Sequence, residues 1–184
     1  MSTIKVNNIE NRTGSSITIG GSSTTSLNLA STITGGTLTN TPAFKVDKAS
    51  NQSIGDGVWT KVTFTQEYYD TDNAFSDSKF TVPTGKAGVY FFSSMLRCTA
   101  DSGTADYYSL GFYKDGALQS IANQIQTAAN QLLNSHIFAS AYFELSEGQY
   151  IEVYANISAN NPNIGGSASQ SIASFFTGHR LIGA

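Results

Sequence analysis

The sequence predicts an all-β chain: an antiparallel jelly-roll sandwich over residues 42–184, preceded by an extended β stalk over residues 1–41. Three observations carry this. Period-2 alternation, the mark of half-buried strands, recurs from Phe44 onward with Gly-containing turns between the runs. One run, residues 79–96, contains a stretch apolar on both alternating sets. Composition changes abruptly at Pro42, before which there is no aromatic residue.

The run 79–96 organises the rest. Phe80 and Val82 point one way and Thr81 the other, then Pro83, Gly85 and Gly88 bend the chain. From Val89 to Leu96 both faces are apolar: Val89, Phe91 and Met95 on one, Tyr90, Phe92 and Leu96 on the other. A strand apolar on both faces must be covered on both. One set belongs to the inter-sheet core and the other to a further partner, and the alternation does not assign which.

The first 41 residues carry only Lys5, Glu10 and Arg12 as charges and too few large side chains to offset backbone ordering. Ile4 and Val6, Ile17 and Ile19, and Leu27 and Leu29 nevertheless alternate with polar neighbours, with turns at Gly20-Gly21 and Gly35-Gly36. Such narrow stripes are marginal alone. Three copies winding together would close them onto a common axis, giving an intertwined shaft. A flexible Ser/Thr/Gly tether is the alternative.

The strands of the second part follow in order. Residues 43–46 open the series and 58–64 alternate cleanly. Residues 107–113 form an apolar, aromatic run, and Asp115-Gly116 supplies a hairpin turn suited to positive φ. Residues 137–145 and 150–157 flank the turn Ser146-Glu147-Gly148, and 172–182 close the domain. Residues 121–134 have near-helical apolar spacing, but lack caps and sit among strands, so strand and loop are expected there.

Composition bounds the function. Charged residues are 12% of the chain, against roughly 25% ordinarily. The net charge is −3, so no basic stripe exists to neutralise phosphates and nucleic acid is not expected as a partner. Cys98 is the single cysteine, which rules out an intramolecular disulfide. The N-terminus lacks the apolar core of a secretory signal, and no run reaches the roughly 18 apolar residues of a membrane span, so a soluble chain made in the cytoplasm is expected.

Catalytic machinery is not legible. His136 and His179 are the only histidines, and neither accompanies a nucleophile elbow or a partnered cysteine. Structural or interface roles are expected for both, and no catalytic residue or cofactor is assigned. Asp70 and Asp72, with Asn73 and Asp77, form the one oxygen-rich cluster and are weak calcium candidates; a solvated turn is the simpler reading, because the EF-hand pattern is missing. Three glycosylation sequons, at Asn11, Asn51 and Asn156, are read as coincidental without a secretory route. Nine tyrosines suit interfaces and sugar stacking; Tyr107 and Tyr108 are the candidate receptor contacts.

Six stretches, in order, resemble the globular head of the complement C1q family, which shares a jelly roll with tumour necrosis factor. They are Pro42-Ala43-Phe44, Lys61-Val62-Thr63-Phe64, Phe75 to Ser93 with its Lys79-Phe80-Thr81-Val82-Pro83 and Gly88-Val89-Tyr90-Phe91-Phe92-Ser93, Phe112 to Gly116, Phe143 to Ile151, and Ser174 to Leu181. Thr84-Gly85-Lys86 is extra within the central signature, and there is no collagen repeat, so immune partners are not implied. The resemblance implies a homotrimer, with Phe44, Tyr90, Phe92, Tyr142, Tyr154 and Phe175 as interface candidates.

The N-terminal segment, from Lys5 through Gly21 into Ser/Thr/Gly-rich sequence, resembles short structural proteins of marine, cyanobacteria-infecting phages. That implies a virion fibre or appendage whose first segment attaches to another virion protein and whose head meets a host-surface glycan or protein. A decoration fibre without a receptor role, and a free lectin or ligand of the complement-head type, are the alternatives. A polysaccharide depolymerase would need an acidic pair in a groove.

Overall fold

The computed structural model describes residues 40–100, 102–126, 134–167 and 174–181. The readings of residues 1–39 as shaft or tether lie outside these, as does the stretch 127–133. Residues Thr39–Ala184 form one compact unit, with the composition boundary at Pro42 just inside it.

Thirteen strands and no helix occur among the described residues. They are β1 (Ala43–Asp47), β2 (Gln52–Ser53), β3 (Thr60–Lys61), β4 (Gln66–Asp70), β5 (Phe75–Ser76), β6 (Lys79–Thr81) and β7 (Gly88–Thr99). Then come β8 (Ser102–Lys114), β9 (Ala117–Gln126), β10 (Asn134–Leu145), β11 (Tyr150–Asn160), β12 (Asn163–Gly165) and β13 (Phe175–Arg180).

They build two antiparallel sheets. The larger runs β2-β12-β7-β13-β1-β4, with β10 on the other edge of β7; the smaller runs β5-β6-β11-β8-β9, with β3 also on β11. β7 is the hub. β10 pairs with it along its whole length, while β13 pairs along Tyr90–Met95 and β12 along Arg97–Thr99.

Turn chemistry matches the backbone. Asp115 and Gly116 have φ of 51° and 78°, closing the β8–β9 hairpin as the Asp-Gly pair requires. The Asp115 carboxylate also accepts from Gln149 Nε2 (2.7 Å) and from the Tyr150 amide (3.0 Å), tying this hairpin to the β10–β11 turn. The segment read as one strand over 58–64 pairs as a strand only at Thr60–Lys61, yet Val62 and Phe64 beyond it are buried. In the 121–134 stretch, Ile121 to Gln126 belong to β9, as strand rather than helix.

The core lies between the sheets and is aromatic. Phe44 of β1 stacks on Phe80 of β6 with centroids 5.2 Å apart and meets Phe176 of β13 edge-on at 4.9 Å. Such pairs contribute about 0.5–1.5 kcal/mol each beyond area burial. Gly178 makes this packing possible. It pairs with Phe44 on one side and Phe92 on the other, and a Cβ there would meet their rings at 2.9 and 2.5 Å.

Candidate functional site

The double-faced strand resolves in one direction. Tyr90, Phe92, Leu96 and Cys98 of β7 are fully buried between the sheets. Val89, Phe91, Met95 and Arg97 lie on the outer face and are only partly covered. The alternation pairs these outer residues across the sheet into rows.

The first row is Tyr142, Phe91, His179 and Ala43, from β10, β7, β13 and β1. The Phe91 ring lies 5.1 Å from Tyr142 and 5.6 Å from His179. The second row is Ser140, Ser93, Thr177 and Lys45, small except at its end. The third is Phe138, Met95, Phe175 and Asp47. Two aromatic rows therefore flank a shallow serine-threonine row. Tyr142 is 65% exposed and Phe138 52% exposed, two large rings left uncovered on the edge strand β10. At the far edge Lys45 Nζ sits 4.3 Å above the Tyr68 ring. A hydrogen bond to Asp47 and its negative charge hold the Tyr68 phenol above its usual pKa.

The interface candidates separate accordingly. Phe44, Tyr90 and Phe92 are corrected: each is completely enclosed within one chain, leaving no surface for a second. The Tyr90 hydroxyl donates to the Lys86 carbonyl at 2.5 Å, and burial pushes its pKa up to about 12. Tyr154 lies on the smaller sheet, half-buried, its ring stacked 3.8 Å from Tyr113. Tyr142 and Phe175 lie on the outer face with Phe91, Met95, Phe138 and His179; the sequence left the face of Phe91 and Met95 open, gave His179 a structural or interface role and did not single out Phe138. Parity was the available signal. Once Phe92 is assigned to the core, Phe91 must face outward.

Of the receptor candidates, Tyr108 is corrected. It is fully buried on the inner face of β8, and burial raises its pKa. Tyr107 is half-buried on the outer face and donates to Asn156 Oδ1 at 3.3 Å.

The calcium candidates are engaged otherwise. Asp70 accepts from the amides of Ala74 (3.0 Å) and Phe75 (2.7 Å), one through each oxygen, and so caps the β4–β5 turn. Asp72 accepts from Thr71 Oγ1 at 2.8 Å and pairs with Lys86 Nζ at 3.5 Å. Among the described residues no group of three or more histidine, cysteine or acidic side chains is placed to hold a metal ion.

No protein-family model and no curated protein matches the chain. Solved structures do. The globular domain of zebrafish complement 1qA is 17% identical, with a TM-score of 0.52, covering 77% of this chain and 97% of that one. Murine APRIL, crystallised at pH 5.0, is 13% identical with a TM-score of 0.51, covering 76% and 98%. The described residues of the Thr39–Ala184 unit thus share the fold of those domains.

The head is a C1q/TNF-like jelly roll.

The cysteine and the two histidines of this jelly-roll head are placed as follows. Cys98 is fully buried, and burial pushes its thiol up to about 12, so it stays protonated at neutral pH. His136 is exposed opposite Arg97, and His179 is in ring contact with Phe91.

Proposed function

We propose that the chain is a non-enzymatic, homotrimeric adhesion protein of a phage virion, a tail fibre or appendage. Residues 1–41 attach it to another virion protein, and the jelly-roll head meets a host-surface glycan or protein. One observation carries the self-association: on one sheet face the exposed rings of Tyr142 and Phe138 adjoin the half-buried Phe91, His179, Met95 and Phe175, so apolar side chains from three neighbouring strands share one surface. Covering such rings removes apolar area from water at roughly 25 cal/mol per Å². Three copies around an axis would cover the face on every chain at once, and three weak receptor sites on one rigid head gain avidity without tight single contacts. The resemblance of the N-terminal segment, from Lys5 through Gly21 into the Ser/Thr/Gly-rich stretch, to phage structural proteins supports the virion assignment.

Two experiments test this. Sedimentation of the full chain should give three times the 19.5 kDa chain mass, and Tyr142→Asp should lower it. Labelling with antibody against the head should decorate a fibre or appendage on particles, and the isolated head should block adsorption. Decoration elsewhere on the particle, without blocking, favours the fibre that lacks a receptor role.

A further inference from the structure

The outer face of the smaller sheet carries a second aromatic array, on the side of the sandwich away from the self-association face. Its floor is Gly111 of β8. Trp59, which precedes β3, reaches across β11 so that its ring lies over Gly111; a Cβ there would meet the indole at 3.1 and 3.2 Å and Leu118 at 2.7 Å. Tyr113 lies 6.1 Å from Trp59, and Tyr154 stacks on Tyr113 at 3.8 Å. All three rings are only partly covered.

Polar groups line the same face. Glu152, 6% exposed, pairs with Lys61 at 2.6 Å, so the two charges neutralise one another. Asn156 faces Ser109 in register and accepts from the Tyr107 hydroxyl. Ser109 is 1% exposed, and its Oγ has no hydrogen-bond partner, a state that calls for an explanation in a folded chain. Beyond Tyr107 the face ends in a cavity of about 530 Å³ lined by Asp56, Asp106, Ser158 and Asn161 among others. That is within the size range of small-ligand sites. The two ends are joined, since Asp106 precedes Tyr107 and the Tyr107 hydroxyl lies 3.7 Å from the Cβ position of Gly57, next to Asp56.

We propose that this face is a binding site for a neutral hexopyranose oligosaccharide. Flat, half-exposed rings match the C–H faces of pyranose sugars. The Lys61–Glu152 pair cancels at the aromatic end and the cavity's charged lining is acidic, which disfavours an anionic ligand, while Asn156, Ser109 and the aspartates of the cavity supply partners for hydroxyls. A run from the Trp59–Tyr113–Tyr154 array to the cavity suits several linked units rather than one. The site lies within one chain. It deepens the adhesion reading by naming the ligand class, but does not depend on trimer formation.

Trp59 is the only tryptophan, so its emission reports on this face alone. The test titrates the full-length protein with cellopentaose, maltopentaose and chitopentaose, followed by Trp59 fluorescence and calorimetry. At least one should give a saturating change, with Tyr154→Ala weakening it by about tenfold, the loss of one stacked ring. Tyr142→Asp should leave the affinity per chain unaltered even where it splits the assembly, which separates failure of this site from failure of self-association. Amide-resolved NMR on the wild-type protein needs no variant, and its shifts should centre on Ser109, Gly111 and Tyr154. Absence of any response to all three sugars, shifts confined elsewhere, or an unchanged affinity in a folded Tyr154→Ala protein overturns the proposal.

Discussion

Phe91 and Tyr142 meet across β7 and β10 with ring centroids 5.1 Å apart on the outer face of the larger sheet. One residue along, Phe92 is sealed in the core against Phe80 at 5.4 Å. Neighbours in sequence thus serve two different surfaces, because strand side chains alternate.

Substitution should therefore divide by parity. Phe92→Ala removes a fully buried ring and is expected to cost about 3–5 kcal/mol, read as a lowered denaturant midpoint. Tyr142→Asp, at an exposed position, should leave the midpoint of the dissociated chain within about 0.5 kcal/mol of wild type. Equal losses at both positions would contradict the assignment of faces.

Gly178 is predicted to reject even a methyl group. Its Cβ position lies 2.5 Å from Phe92 and 2.9 Å from Phe44, two rings held by the core on both sides. Gly178→Ala should destabilise by about 1–3 kcal/mol through overpacking. Thermal unfolding of the variant measures it, and an unchanged melting temperature would refute the packing described.

Stability should climb with pH just above neutrality. Lys48 is 2% exposed, and its Nζ donates to Gln52 Oε1 at 2.9 Å and to the Thr63 carbonyl and hydroxyl at 2.8 Å. Burial lowers its pKa from 10.5 to about 8, so between those values the unfolded chain holds more protons than the folded one. Stability then rises with pH, by about 1 kcal/mol from pH 8 to 9 for this group. Cys98 acts oppositely from its usual 9.0 toward its folded value of about 12, where the unfolded chain loses its proton first. Urea midpoints across this range should rise and then flatten, and Lys48→Met should abolish the rise. A wild-type midpoint that falls from pH 8 would be inconsistent with this.

Asp70 is expected to matter for the turn and not for an ion. Both oxygens already accept backbone amides, from Ala74 and Phe75. Asp70→Ala should cost about 2–3 kcal/mol, as loss of hydrogen bonds to a charged group does. Added calcium should leave the wild-type melting temperature where it is; a rise on addition, reversed by chelator, would return the site to the metal reading.

Much of the architecture was legible because long strands carry their own period. Residues of β11 alternate plainly, β7 and β10 show as long apolar runs, and Asp115-Gly116 and Gly148 mark turns that the backbone adopts with positive φ. The pairs and triplets β2, β5 and β12 were not legible as strands, since two or three residues display no period. Nor was the inward face of β7. Both sets are apolar, and the choice is made by Gly178, which opens room for Phe92 and not for Phe91. The same one-residue ambiguity misplaced Tyr108, which β8 turns inward beside its outward neighbour Tyr107. The sheet that carries Tyr154 was not legible for a different reason: which sheet a strand joins depends on pairing at long range, and β11 pairs with β8, β6 and β3.

The central claim is that the Phe91–Tyr142 face joins copies of this chain, and sedimentation equilibrium of the full-length protein at low concentration tests it most directly. A single species of three chains, each 19.5 kDa, that dissociates on Phe138→Asp with Tyr142→Asp is the predicted result. A wild-type monomer, or an assembly that the double substitution leaves intact, would contradict it.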